Sequence, residues 1–137
     1  MNRSSATSRP ATAEFVAVYI GGGVGAMLRF GLGEWLPADP TSWPWHTFIA
    51  NLLACVMLSF VIAHRQNGWG SDARLALLGS GFCGGLSTFS TLQLEIFRMV
   101  DAGSNLLAIG YLAASIAAGA LAINFARRFV ARGEVVA

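Results

Sequence analysis

The chain has 137 residues, 55% of them hydrophobic and only 12% charged, about half the charged share of an ordinary soluble domain. Its nine basic residues are all arginines and the net charge is +2, with no charge run or basic stripe, which argues against a nucleic-acid binder. Cys55 and Cys83 sit in apolar stretches without metal-ligand spacing, which excludes a disulfide framework and leaves them as small core residues.

Residues 1–13 are rich in Ser, Thr and Ala and read as a disordered N-terminal tail. A four-span domain is expected over 14–127, and a C-terminal tail over 128–137. The spans fall near 15–36, 45–64, 75–100 and 106–125, each close to the roughly 20 apolar residues that cross a bilayer. Span one is not a cleavable signal, because glycines and Arg29 interrupt its apolar run. Gly21 and Gly25 are four apart, as are Gly22 and Ala26, which gives a small face for close helix packing. Gly21-x-Gly23-x-x-Ala26, with Asp39 downstream, imitates a dinucleotide fingerprint. No βαβ alternation follows it, so the membrane reading is preferred. Arg29 either faces a polar cavity or snorkels to the interface near Glu34.

The loop Pro37–Pro44 is a stiff turn flanked by Trp35, Trp43 and Trp45, as in an aromatic belt. Span two carries Asn51 with Thr47 one turn earlier on the same face. An in-membrane amide needs partners, either as glue between helices or on a polar path. The loop Arg65–Arg74 reads as a turn.

Span three contains Gly81, Gly84 and Gly85, followed by Ser87, Thr88, Ser90 and Thr91. Glycines cost backbone entropy in a helix and hydroxyls need partners that lipid lacks. The segment is therefore either a close helix contact or a broken helix whose freed backbone faces protein or a polar cavity. Past it, Thr88, Thr91 and Glu95 share one helix face, and Phe89 and Leu92 another. On span four, Tyr111, Ser115 and Gly119 repeat every four residues, as packing or as a polar stripe. With four spans, both termini and the second loop share a side holding seven arginines. Only Arg98 lies opposite, which places the termini in the cytoplasm.

No catalytic constellation emerges. His46 and His64 lie at opposite ends of span two, about 27 Å apart. Gly84-Gly85-Leu86-Ser87 resembles an intramembrane serine-protease motif but lacks a base within reach. The polar groups inside the spans are mostly donors, with Glu95 the exception, and a donor-lined path suits an anion. Carbonyls freed at a helix break suit a cation. Four spans enclose little, so a homodimer is expected, with the glycine-rich faces in contact.

Three blocks carry a family resemblance: Gly22-Gly23-Val24-Gly25-Ala26 with Arg29, Thr47-Phe48-Ile49-Ala50-Asn51, and residues 81–91 with Glu95. Over about residues 15–125 the chain resembles the fluoride channel family known as Fluc or CrcB. The resemblance implies an antiparallel, dual-topology homodimer in the lipid of a bacterial inner membrane, with two pathways that export fluoride passively. It implies a structural Na⁺ at the dimer centre, held by backbone carbonyls at Gly84 and Ser87. It places Asn51, Thr47, Phe89, Ser90, Thr91, Thr88, Tyr111, Ser115, Arg29 and Glu95 along the fluoride pathway. The family usually has threonine where Ser87 stands and a second phenylalanine where Leu92 stands, and its polar track tends to continue at Gly119. The rival readings are a small four-span proton-coupled drug exporter, for which Glu14 would supply the span-one carboxylate, and a membrane scaffold subunit.

Overall fold

A computed structural model describes residues 11–66 and 70–134. Helix α1 is Ala11–Trp35 and α2 is Trp45–Gln66. The third span is interrupted. Its first half, α3 (72–86), joins an α-helical turn Asp72–Leu75, a π-helical stretch Ala76–Cys83 and a closing turn Gly84–Leu86. Its second half, α4, is Phe89–Asp101, and the last helix, α5, is Asn105–Glu134. Four helical spans are long and apolar enough to cross a membrane, and the described residues include no strand. Large apolar side chains such as Tyr19, Met27, Phe30 and Ile116 point outward, as lipid rather than water as solvent permits.

The break lets span three change partners. α3 packs on α1, whereas α4 packs on α5, and α2 bridges the two pairs. Glycine makes the first contact possible. A Cβ at Gly21 would fall on the Leu77 carbonyl, one at Gly25 on the Phe82 carbonyl, and one at Gly85 on the Gly22 carbonyl. The expected small face is therefore real, but it closes within one chain. The glycine faces assigned to a dimer contact are consumed between α1 and α3, because backbones this close leave no room for a second molecule. Gly23 and Gly84 remain open on the outside. Beneath this contact lie Ala50, Ala54, Cys83 and Leu86; a second cluster joins Leu92, Met99, Ala108 and Tyr111 across α4 and α5.

Boundaries differ from the sequence reading at both ends. Helix α1 begins at Ala11, inside the stretch assigned to the tail, since Ala, Thr and Glu14 form a first turn that suits the helix dipole. Residues 1–10 of that expected tail lie outside the described residues. Helix α5 continues through Arg127 and Arg128 to Glu134, past the expected span end near 125 and into the stretch assigned to the C-terminal tail, because alanine and arginine favour helix and no breaker intervenes before Gly133. In the second loop, Gly70 takes φ 91°, Arg65 pairs with Asp72, and Ser71 caps α3. Residues 67–69 of that turn are outside the described residues.

Candidate functional site

The site grows from Ser87 and Thr88, both extended, with φ −77°, ψ 153° and φ −151°, ψ 120°. In an unbroken helix Gly84 O would accept from Thr88 N, and Ser87 O from Thr91 N. Here Thr88 N donates to Asn51 Oδ1 at 2.8 Å, and Thr91 N donates to Thr88 Oγ1 at 3.2 Å. Both carbonyls are thereby released from their helical partners. Asn51 Nδ2 donates in return to Thr88 O at 3.2 Å. One amide from α2 thus satisfies both backbone groups of Thr88, a pair of bonds worth about 2 kcal/mol net. Thr88 then caps α4, and its hydroxyl lies 2.9 Å from Thr91 Oγ1 and 3.3 Å from Ser90 Oγ.

Further along α4 is Glu95, buried at 8% exposure. Its Oε1 accepts from Thr47 Oγ1 at 2.6 Å and its Oε2 from Tyr111 OH at 2.8 Å. His46 Nε2 lies 3.1 Å from Oε1. A carboxylate inside a membrane protein is costly without such donors, and here two helices, α2 and α5, supply them. Trp43 stacks edge-on against Tyr111, with ring centroids 5.3 Å apart, and closes the network from the loop side.

Two cavities flank this network. One of about 110 Å³ is bordered by Asp39, His46, Thr91, Glu95 and Arg98. The other, about 30 Å³, is bordered by Phe48, Asn51, Cys55, Ser115 and Gly119. Ser115 Oγ is buried there without a hydrogen-bond partner, and the space exceeds the roughly 15 Å³ needed for one water-sized guest. Thr47 and Asn51 on α2, with Tyr111 and Ser115 on α5, therefore line a polar seam between the two cavities. At its mouth, Asp39 Oδ1 accepts from Thr41 N at 2.9 Å and Thr41 Oγ1 at 2.7 Å, which holds that carboxyl below its usual range.

Of the residues singled out from sequence, Asn51, Thr47, Thr88, Thr91, Glu95, Tyr111 and Ser115 come together. Ser90 is exposed, beside Thr88. Phe89 is 71% exposed and borders an outer groove with Leu92, Gln93, Ile96 and Phe97. Arg29 is half-buried on α1; no hydrogen bond or ion pair links it to Glu34 or to any other described residue. Gly84 is exposed and Ser87 half-buried, with Ser87 Oγ donating to Cys83 O at 2.8 Å, a local bond unlike that of a nucleophile with its base. Trp43, assigned to the aromatic belt, packs edge-on against Phe48 and Tyr111. Sequence reasoning missed His46 as a partner of Glu95; its place one residue before Thr47 was the available signal.

Comparison with known proteins gives the family. The family model described as CrcB-like protein, Camphor Resistance (CrcB), matches residues 16–127. A protein of Mycolicibacterium paratuberculosis named fluoride-specific ion channel FluC 1 is 40% identical over 123 residues, covering 89% of this chain and 93% of its own. One of the same name from Mycobacterium bovis is 38% identical with the same coverage. The fluoride-specific ion channel FluC of Chloroflexus aurantiacus is 38% identical over 112 residues, 79% of this chain and 87% of that one. With four apolar spans, a donor-held break in the third and these matches, the chain is an integral membrane protein of the CrcB family.

Proposed function

We propose that this chain is a fluoride-selective passive channel that exports fluoride from the cytoplasm and limits its toxic accumulation. The observation that carries the reading is the polar seam from Glu95 past Asn51 to Ser115, where Asn51 and Ser115 hold donors not spent within the chain. A small, strongly hydrated anion sheds water only for close donors, and this amide and this hydroxyl border the same cavity. Asn51 keeps one amide hydrogen beyond its bond to Thr88 O, and Ser115 has an unspent hydroxyl. Phe89 adds a ring whose positive edge can face an anion, and its exposure supports a role against a second subunit. Ser90 and Arg29 complete the proposed pathway at its margins.

The functional unit in this reading is an antiparallel homodimer. Gly84 and Ser87 would hold a structural Na⁺ through the two carbonyls released at the break. Two carbonyls from each chain suit an oxygen-seeking cation better than two alone, and the exposure of Gly84 favours a site shared between subunits. Bound there, Na⁺ would neutralise carbonyl dipoles and fix the break. The drug-exporter reading is weaker: Glu14 lies in the first turn of α1, and the embedded carboxylate, Glu95, is saturated with donors.

The test is fluoride efflux from liposomes holding purified protein, started by valinomycin in a potassium gradient. Efflux of fluoride without chloride supports the reading. No efflux, or efflux only with a proton gradient, refutes it.

A further inference from the structure

The helix faces that form the polar seam do not end at Ser115. On α5, Ser115, Gly119, Ile123 and Arg127 follow one another every four residues, and on α2 Asn51, Cys55 and Ser59 do the same. Both faces run into a further cavity of about 270 Å³, bordered by Cys55, Ser59, Ile62, Ile123 and Arg127. It lies beyond Asn51 along α2, away from Glu95. Among the described residues, Cys55 alone borders both this cavity and the 30 Å³ cavity of Asn51 and Ser115. Gly119 brings no side chain to that junction; a Cβ there would stand 3.7 Å from Cys55 Sγ. The smaller cavity holds one water-sized guest, and the larger has room for several.

Their walls differ as well. Ser59 Oγ spends its hydrogen on Cys55 O at 2.6 Å, and apart from the thiol and Arg127 the rest of the larger wall is apolar. Arg127 is exposed at its rim, and no hydrogen bond or ion pair links it to another described residue. A guanidinium is always charged, and apolar walls focus the field of a single charge. We propose that the 270 Å³ cavity is the far vestibule of the fluoride path: Arg127 gathers hydrated anions there, and Cys55 forms the neck at which they shed water to reach Asn51 and Ser115. This rests on the channel reading above. The thiol is a weak donor, so Cys55 shapes the neck rather than holding the ion. An apolar wall holds no donor that would trap an ion on its way through, as conduction requires.

The chain's two native cysteines provide the test. Cys83 is 2% exposed and packed among Ala50, Ala54 and Leu86, which makes it the buried control. The probes are two methanethiosulfonates of opposite charge, one carrying ethylsulfonate and one ethyltrimethylammonium. The Cys55 thiolate attacks the thio sulfur, a mixed disulfide forms and methanesulfinate leaves, the thiol proton passing to buffer at about pH 8. Peptide mapping of the purified full-length protein should show one adduct, on Cys55. Relative to their rates with free mercaptoethanol, the anionic probe should react about threefold or more faster than the cationic one, as one nearby charge dictates. Arg127→Gln should remove that bias. After reconstitution, the anionic adduct should slow fluoride efflux about tenfold or more, a thiol reductant should restore it, and efflux through Cys55→Ala should not respond to the probe. An unreactive Cys55, a bias unchanged in Arg127→Gln, or full labelling with efflux unaltered would each overturn the proposal while leaving the channel intact. Absence of efflux from unlabelled protein would instead overturn the channel reading, with the labelling bias still reporting whether the cavity gathers anions.

Discussion

The two halves of the third span differ in what holds them. α3 meets α1 through glycines, backbone on backbone. α4 meets α2 and α5 through a buried carboxylate with donors from both. The glycine contact of the first half with α1 tolerates no added volume. The second is a cluster of exchangeable hydrogen bonds. Between them, Asn51 substitutes its amide for the helical bond that Thr88 lacks. The contrast teaches that a membrane span can be anchored by one half and carry chemistry on the other, provided a side chain satisfies the backbone at the joint.

The largest effect should come from the anchor. Gly85→Leu would drive a side chain into the Gly22 backbone and should cost about 3 kcal/mol or more. Gly84→Ala, one residue away and facing open space, should leave the fold intact. Thermal stability in detergent separates the two, and equal losses would break the assignment of the glycine contact. On the other half, Glu95→Ala should strand two buried hydroxyls at about 1–3 kcal/mol each. It should also lower fluoride efflux, whereas Glu95→Gln keeps acceptor capacity and should lose less stability.

Phe89 and Leu92 sharpen the comparison within α4. Phe89 is outward-facing and Leu92 is packed with Met99, Ala108 and Tyr111. Phe89→Ile should reduce efflux at little cost in stability. Leu92→Ile should cost about 1 kcal/mol of stability and change efflux less. Equal effects on efflux would remove the ring-edge role from Phe89. The smallest effect concerns Asp39. Its carboxyl is held below the usual range by Thr41, so its contribution is present above that range and fades as pH falls through it. Asp39→Asn should remove this acid-linked part of the melting profile and little else, because the group is exposed.

Much of this was legible in the sequence. Apolar length located the four spans, and glycines followed by hydroxyls located the break. The faces shared by Thr88, Thr91 and Glu95, and by Tyr111 and Ser115, were readable from helical spacing. Which helix each face meets was not. The glycines of span one fit a second subunit as well as α3, since small faces carry no address. His46 met Glu95 only through tertiary packing, and the π-helical stretch Ala76–Cys83 has no composition of its own. Leu92 matched a family position by register, yet its environment is core.

The joint is the direct place to test the account. Asn51→Asp keeps an oxygen to accept from Thr88 N but sets a second one against Thr88 O, where Nδ2 now donates. Fluoride efflux should be abolished in monodisperse Asn51→Asp protein, with Gly84→Ala measured alongside as a folded reference. Efflux from Asn51→Asp at the wild-type rate would contradict the claim that this amide joins the anchored half to the conducting one.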